Sequence, residues 1–226
     1  MFYNSVVSLI NERTILIYIP RLVSILFIIL QFLGMLVYPG GTIHDIETSG
    51  YSFTSNFFSD MGAYAARNGE PNYLSMILFS LSLTLVGVTF AFYYFVLPKI
   101  MGKNKINYIL SWSGTFFAFC GSICLIGTGL TPTDLVFDAH VFFANNIFNS
   151  FLITAFCYSI VIFKSDVLDR KYAIGYVLFF LSIFVYVMIL QFGPPVNAGQ
   201  SALVFQVVAQ KMIVIIFCLT VVHQTF

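Results

Sequence analysis

The groups in this 226-residue chain that could do chemistry are three histidines, nine carboxylates and one lysine set inside an apolar run. Lys211 stands in LVFQVVAQKMIVIIF. Counting from Ala202 at 1.5 Å per residue puts its Cα roughly 13 Å deep in a membrane span. Insertion scales charge about 2.5–3.5 kcal/mol for a lysine at that depth, so it needs partners. Gln206 and Gln210 give the same helix a polar flank. His140, in DAHVFFANNIFNS, follows Asp134 and Asp138, and Asn145 and Asn149 share a helical face below it. As a general base His140 would take a hydroxyl proton, with a neighbouring carboxylate such as Asp138 or Asp60 orienting its ring. Ser59 in NFFSDMG is the candidate nucleophile, although no GxSxG frames it. His44, Asp45, Asp60 and His140 are also metal-ligand types. With no HxxxH, HExxH or CxxC spacing, neither a metal nor a cofactor is expected. His223 lies at the opposite end of a span about 30 Å long and cannot join a three-histidine zinc site.

These groups must be positioned by helices in lipid. The chain is 59% hydrophobic and 8% charged, with a mean hydropathy of +0.94. A soluble domain carries about 25% charged residues, so a water-facing surface cannot be built from this inventory. Continuous apolar runs predict six transmembrane helices over about 22–38, 73–97, 106–130, 139–163, 172–192 and 202–222. The fold class is an all-α integral membrane protein, one domain over 1–226, with a possible interfacial helix at 1–19. The runs do not alternate, which excludes a β-barrel. Cys120, Cys124, Cys157 and Cys218 all lie in apolar runs, the pattern of buried small residues rather than of a disulfide framework. No basic patch or nucleic-acid motif is present, and nucleic acid is set aside.

Arg13, Arg21, Lys99, Lys103, Lys105, Lys164, Arg170 and Lys171 fall on one set of connections, against Arg67 alone on the other. That bias predicts both termini in the cytoplasm and the long 39–71 loop outside. This loop carries Asp45, Glu47, Asp60 and Glu70 and is rich in aromatics: Tyr51, Phe53, Phe57, Phe58 and Tyr64. Disordered loops have few aromatics. The stretch SFTSNFFSDMGAYAA is therefore expected to be partly helical or re-entrant and to pack over the outer ends of the bundle.

The segments YPGGT, GYSF, NFFSDMG and NGEPN, the second span opening NYLSMILF, and the later GTGLTPTD before His140 recur in one order relative to the spans. In this the chain resembles an uncharacterised bacterial six-span family, the domain of unknown function nine-nine-eight, over most of residues 22–220. Ser59-Asp60-Met61-Gly62 is similar to the Ser-Asp-x-Gly after the first span of DRAM-type membrane proteins. Those are eukaryotic six-span proteins linked to lysosomal autophagy and, in relatives, to remodelling of glycolipid anchors. The first resemblance implies the architecture and a bacterial inner membrane; the second points toward lipid.

The reading that joins these observations is an outward-facing polar cavity lined by Asp60, Asp134, Asp138, His140, Asn145, Asn149, Gln210 and Lys211, with the loop as its lid. It would bind or move an amphiphile, a membrane lipid, with Asp60, Asp134 or Asp138 neutralising Lys211 or a cationic head group. One alternative is a membrane-embedded lipid hydrolase or acyltransferase using His140. Another is a structural membrane partner with a filled interior and no site. Oligomeric state is not legible.

Overall fold

The computed structural model describes residues 12–101, 105–166 and 168–224. Six long apolar helices are found among them. They are α1 (Ile19–Val37), α2 (Tyr73–Met101), α3 (Lys105–Leu130), α4 (Phe137–Phe163), α5 (Arg170–Phe192) and α6 (Gln200–Gln224). Each is long enough to cross a hydrocarbon core of about 30 Å. Large apolar side chains such as Leu22, Phe32, Phe92, Phe116 and Phe156 are exposed on the outside of the bundle. A continuous surface of that kind belongs in lipid, and the chain is an integral membrane protein.

The first span begins at Thr14, well before Leu22. One wide π turn, Thr14–Tyr18, leads into α1, whose first turn contains Pro20. Proline lacks an amide hydrogen and crowds the carbonyl four residues earlier; a π turn is one way for a helix to take up that misfit. Of the interfacial helix expected over 1–19, residues 1–11 lie outside the described residues, and the remainder runs straight into the span.

The helices follow one another around the bundle, each packed on its neighbours in sequence. α1 and α6 close the ring through a much thinner contact. One end of the interior is filled by aromatic rings, with Tyr93 against Tyr94, Tyr94 against Tyr158 and Phe90 against Phe217 at centroid distances of 5.0, 5.2 and 5.2 Å.

The other end is covered by residues 38–72, which fold on themselves. A 3-10 helix, Phe58–Gly62, sits at their centre, and isolated bridges join Gly40 to Ser49 and Ala65 to Pro71. The buried Asn72 amide donates to the carbonyls of Met61 (2.9 Å) and Ala63 (2.8 Å). Gly41 has φ +82°, and a Cβ there would strike the backbone at Arg67 and Asn68. The cover is tied to both other connections at this end. The Asp134 carboxylate accepts the amides of Tyr64 (2.8 Å) and Ala65 (2.9 Å). His44 Nε2 donates to the Val196 carbonyl (2.8 Å), and Gln200 donates to Ser55 (2.9 Å).

Gly62 explains part of the Ser-Asp-Met-Gly element, because a Cβ there would lie 2.5 Å from the Phe79 ring. Gly62→Ala is expected to destabilise the protein by about 1–3 kcal/mol through overpacking. Thermal unfolding in detergent should show a lowered midpoint that Phe79→Leu in the same chain partly restores. An unchanged midpoint would mean that the cover does not seat on α2 as described.

Candidate functional site

Two arrangements meet under the cover: a cationic latch and an interior cavity. The latch is Lys211. Its side chain is 2% exposed, and its ammonium has three hydrogens to place. Nζ donates to the Tyr51 hydroxyl (2.7 Å) and to the Asn56 carbonyl (2.7 Å). It also stands 4.1 Å from the centroid of the Phe58 ring, with Tyr51 and Phe53 at 5.2 and 5.5 Å. Two oxygens and three aromatic faces thus replace water around the charge. Burial pushes the Tyr51 phenol well above its ordinary range. It stays protonated, gives its hydrogen to the Asn56 carbonyl (2.9 Å), and offers a lone pair to Lys211.

Asn56, fully buried, connects this cage to an ion pair. Its amide donates to the Gly41 carbonyl (2.9 Å) and to Asp60 Oδ2 (3.2 Å). Asp60 also accepts the Phe57 amide (2.9 Å) and both Nε and a terminal nitrogen of Arg67, at 3.0 and 2.8 Å. The Arg67 amide donates to the Tyr38 hydroxyl (3.1 Å). Burial raises that phenol to about 12, and the amide donor and Arg67 charge only partly offset it.

The cavity holds about 130 Å³ in the middle of the bundle, and all six helices and the cover contribute to its wall. Its polar lining consists of Gln31, Ser59, Thr128, His140 and Gln210, near the cover; deeper in the bundle come Phe27, Val86, Phe151, Phe179 and Phe217. No Asp, Glu, Lys or Arg lines it. The Gln210 carbonyl oxygen accepts the Phe58 amide (2.9 Å), seating the 3-10 helix over the opening.

His140 is 3% exposed, with Nδ1 2.7 Å from the Thr131 carbonyl. A carbonyl can only accept, so Nδ1 carries the hydrogen and the neutral ring has its lone pair on Nε2. Gln31 is fixed by similar logic. Ser82 gives its one hydroxyl hydrogen to the Phe79 carbonyl (2.7 Å), so it must accept from Gln31 Nε2 (2.6 Å). The free end of the Gln31 side chain is then Oε1. Both His140 Nε2 and Gln31 Oε1 are buried without a hydrogen-bond partner among the described residues.

The single polar cavity read from the sequence is therefore divided. Only His140 and Gln210 of that set line the cavity. Lys211 and Asp60 belong to the latch, and Asp60 is neutralised by Arg67 rather than by Lys211, whose solvation comes from neutral oxygens and rings. Asp134 clasps the cover, Asp138 and Asn149 are exposed, and Asn145 is half-buried outside the lining. The orienting group on His140 is a backbone carbonyl, not Asp138 or Asp60. Gln31 escaped sequence reading, although a lone glutamine in ILFIILQFLGMLV was a visible signal. Among the described residues no three His, Cys, Asp or Glu side chains gather as a metal site, and the four cysteines are free. No family model, curated protein or solved structure matches the chain.

Lys211→Met keeps the stem and removes the donors. Segment 51–58 should loosen, with chymotryptic cleavage after Tyr51 or Phe53 about tenfold faster at unchanged helix content, as expected for lost charged hydrogen bonds. Equal cleavage of the wild type and the variant would show that the ammonium does not hold the cover.

Proposed function

We propose that this protein binds an amphiphile, a single-chain membrane lipid or one chain of a larger one, inside the bundle. The observation that carries this reading is the polarity gradient along the cavity. From His140 to Phe151 on α4 is about 16 Å at 1.5 Å per residue, and over that length the polar side chains of the lining, His140 and Gln31 among them, give way to apolar ones alone. An amphiphile placed with its polar end under the cover matches both halves. A cavity of about 130 Å³ is near the roughly 150 Å³ that admits a benzene-sized guest, so a whole two-tailed lipid exceeds it and a single chain lies only partly inside. The thin α1–α6 contact, with Gln31 on one side and Gln210 on the other, is the natural entry from the bilayer. The lysine and arginine distribution favours an outward-facing cover and cytoplasmic termini. Ile- and Phe-rich composition fits a bacterial inner membrane, and the motif likeness to DRAM-type proteins favours lipid.

Filling the cavity tests this. Native mass spectrometry of protein extracted from its own membrane should show a retained amphiphile whose occupancy falls about tenfold in Ala144→Leu, a lining residue. Equal occupancy in the variant, at equal thermal stability, would contradict the reading.

A second reading is favoured by one observation: Ser59 lines the same cavity as the unpaired His140 Nε2. In a lipid hydrolase, Nε2 would take the Ser59 Oγ proton as Oγ attacks an ester carbonyl. The proton would pass to the departing alcohol, and water would then cleave the acyl-serine. A fluorophosphonate probe should label Ser59 in the wild type and lose labelling in Ser59→Ala and His140→Gln. An unlabelled wild type would exclude the hydrolase.

A further inference from the structure

We infer that the ligand's polar end is uncharged and donates a hydrogen bond, which makes it a hydroxyl-bearing amphiphile, a lipid alcohol, rather than an anionic or zwitterionic one. The inference rests on the amphiphile reading and deepens it. Among the polar atoms of the cavity lining, two are buried and have no hydrogen-bond partner. Lys211 is occupied by Tyr51, Asn56 and the Phe58 ring, and Arg67 by Asp60, so no cation faces the cavity to receive a phosphate or carboxylate. No carboxylate lines it to receive an amine. The two unpartnered atoms are the buried lone pairs of His140 Nε2 and Gln31 Oε1, on α4 and α1, both residues lining the cavity. A buried acceptor without a donor is costly, whereas an acceptor that finds a hydroxyl is stabilised. A hydroxyl hydrogen satisfies one of them, and a second hydroxyl or a water satisfies the other. A methyl ether or ester of the same chain offers neither.

The test uses the full chain in nanodiscs and a dodecanol carrying a photoreactive diazirine near its methyl end. Labelled residues are located by peptide mass spectrometry, and dodecanol, methyl dodecyl ether, dodecanoate and dodecyl phosphate serve as competitors. The expected result is saturable labelling of the deep cavity wall, with dodecanol competing at least about tenfold better than its ether or either anion. Gln31→Leu should narrow that difference. If the ether competes as well as the alcohol while labelling stays in the cavity, amphiphile binding stands and the hydroxyl requirement is overturned. Better competition by the carboxylate or phosphate overturns it likewise. If no cavity residue is labelled saturably, water alone pairs the two acceptors and both readings fall. The wild-type comparison of alcohol with ether decides the matter even if Gln31→Leu does not fold.

Discussion

An ammonium ion held inside a hydrocarbon bundle is the constraint from which the rest of this structure follows. Lys211 cannot leave its helix for water, so the chain must bring oxygen atoms and aromatic faces to it. The 38–72 segment does so with Tyr51, Asn56, Phe53 and Phe58. Meeting that need obliges the segment to fold back over the bundle. Asn56 then lies beside Asp60, and Asp60 draws in Arg67. The aromatic richness of an otherwise polar loop is thereby explained: these rings act as a solvent shell for one charge.

Once the charges are paired off within the cover, the space beneath it is left without any. The two features that looked like one site are complementary parts. The latch fixes the cover through Lys211, and the neighbouring residue, Gln210, holds the Phe58 amide at the edge of the cavity. The 3-10 helix thus serves both, carrying Phe58 to the lysine and Ser59 to the cavity lining. A charge buried in the cover and an uncharged chamber below it are consequences of the same chain path.

The spans were legible because lipid imposes a one-dimensional rule, a continuous apolar run of sufficient length, that needs no partner to be recognised. The start of the first span was not, since the continuous apolar run begins at Leu22, after Arg21, while the helix contains Pro20 and Arg21 and is preceded by the π turn Thr14–Tyr18. Lys211 and His140 stood out by type alone. Their partners did not, because Tyr51 and Asn56 reach Lys211, and the Thr131 carbonyl reaches His140, through loop geometry that periodicity does not describe. Asn145 and Asn149 show the limit of spacing arguments: i, i+4 says that two residues share a face, not which face turns inward, and Asn149 turns out. Gln31 was overlooked because an amide attracts less notice than a charge, yet its free oxygen helps define what the cavity can accept.

The account is tested most directly by an experimental density map of the protein in a lipid nanodisc prepared from its own membrane. It predicts an elongated density running from His140 and Gln31 toward Phe217, with the Lys211 ammonium still enclosed by Tyr51, Asn56 and Phe58. A chamber that is empty or holds only separate waters, or a Lys211 turned into that chamber beside an anionic head group, would contradict it.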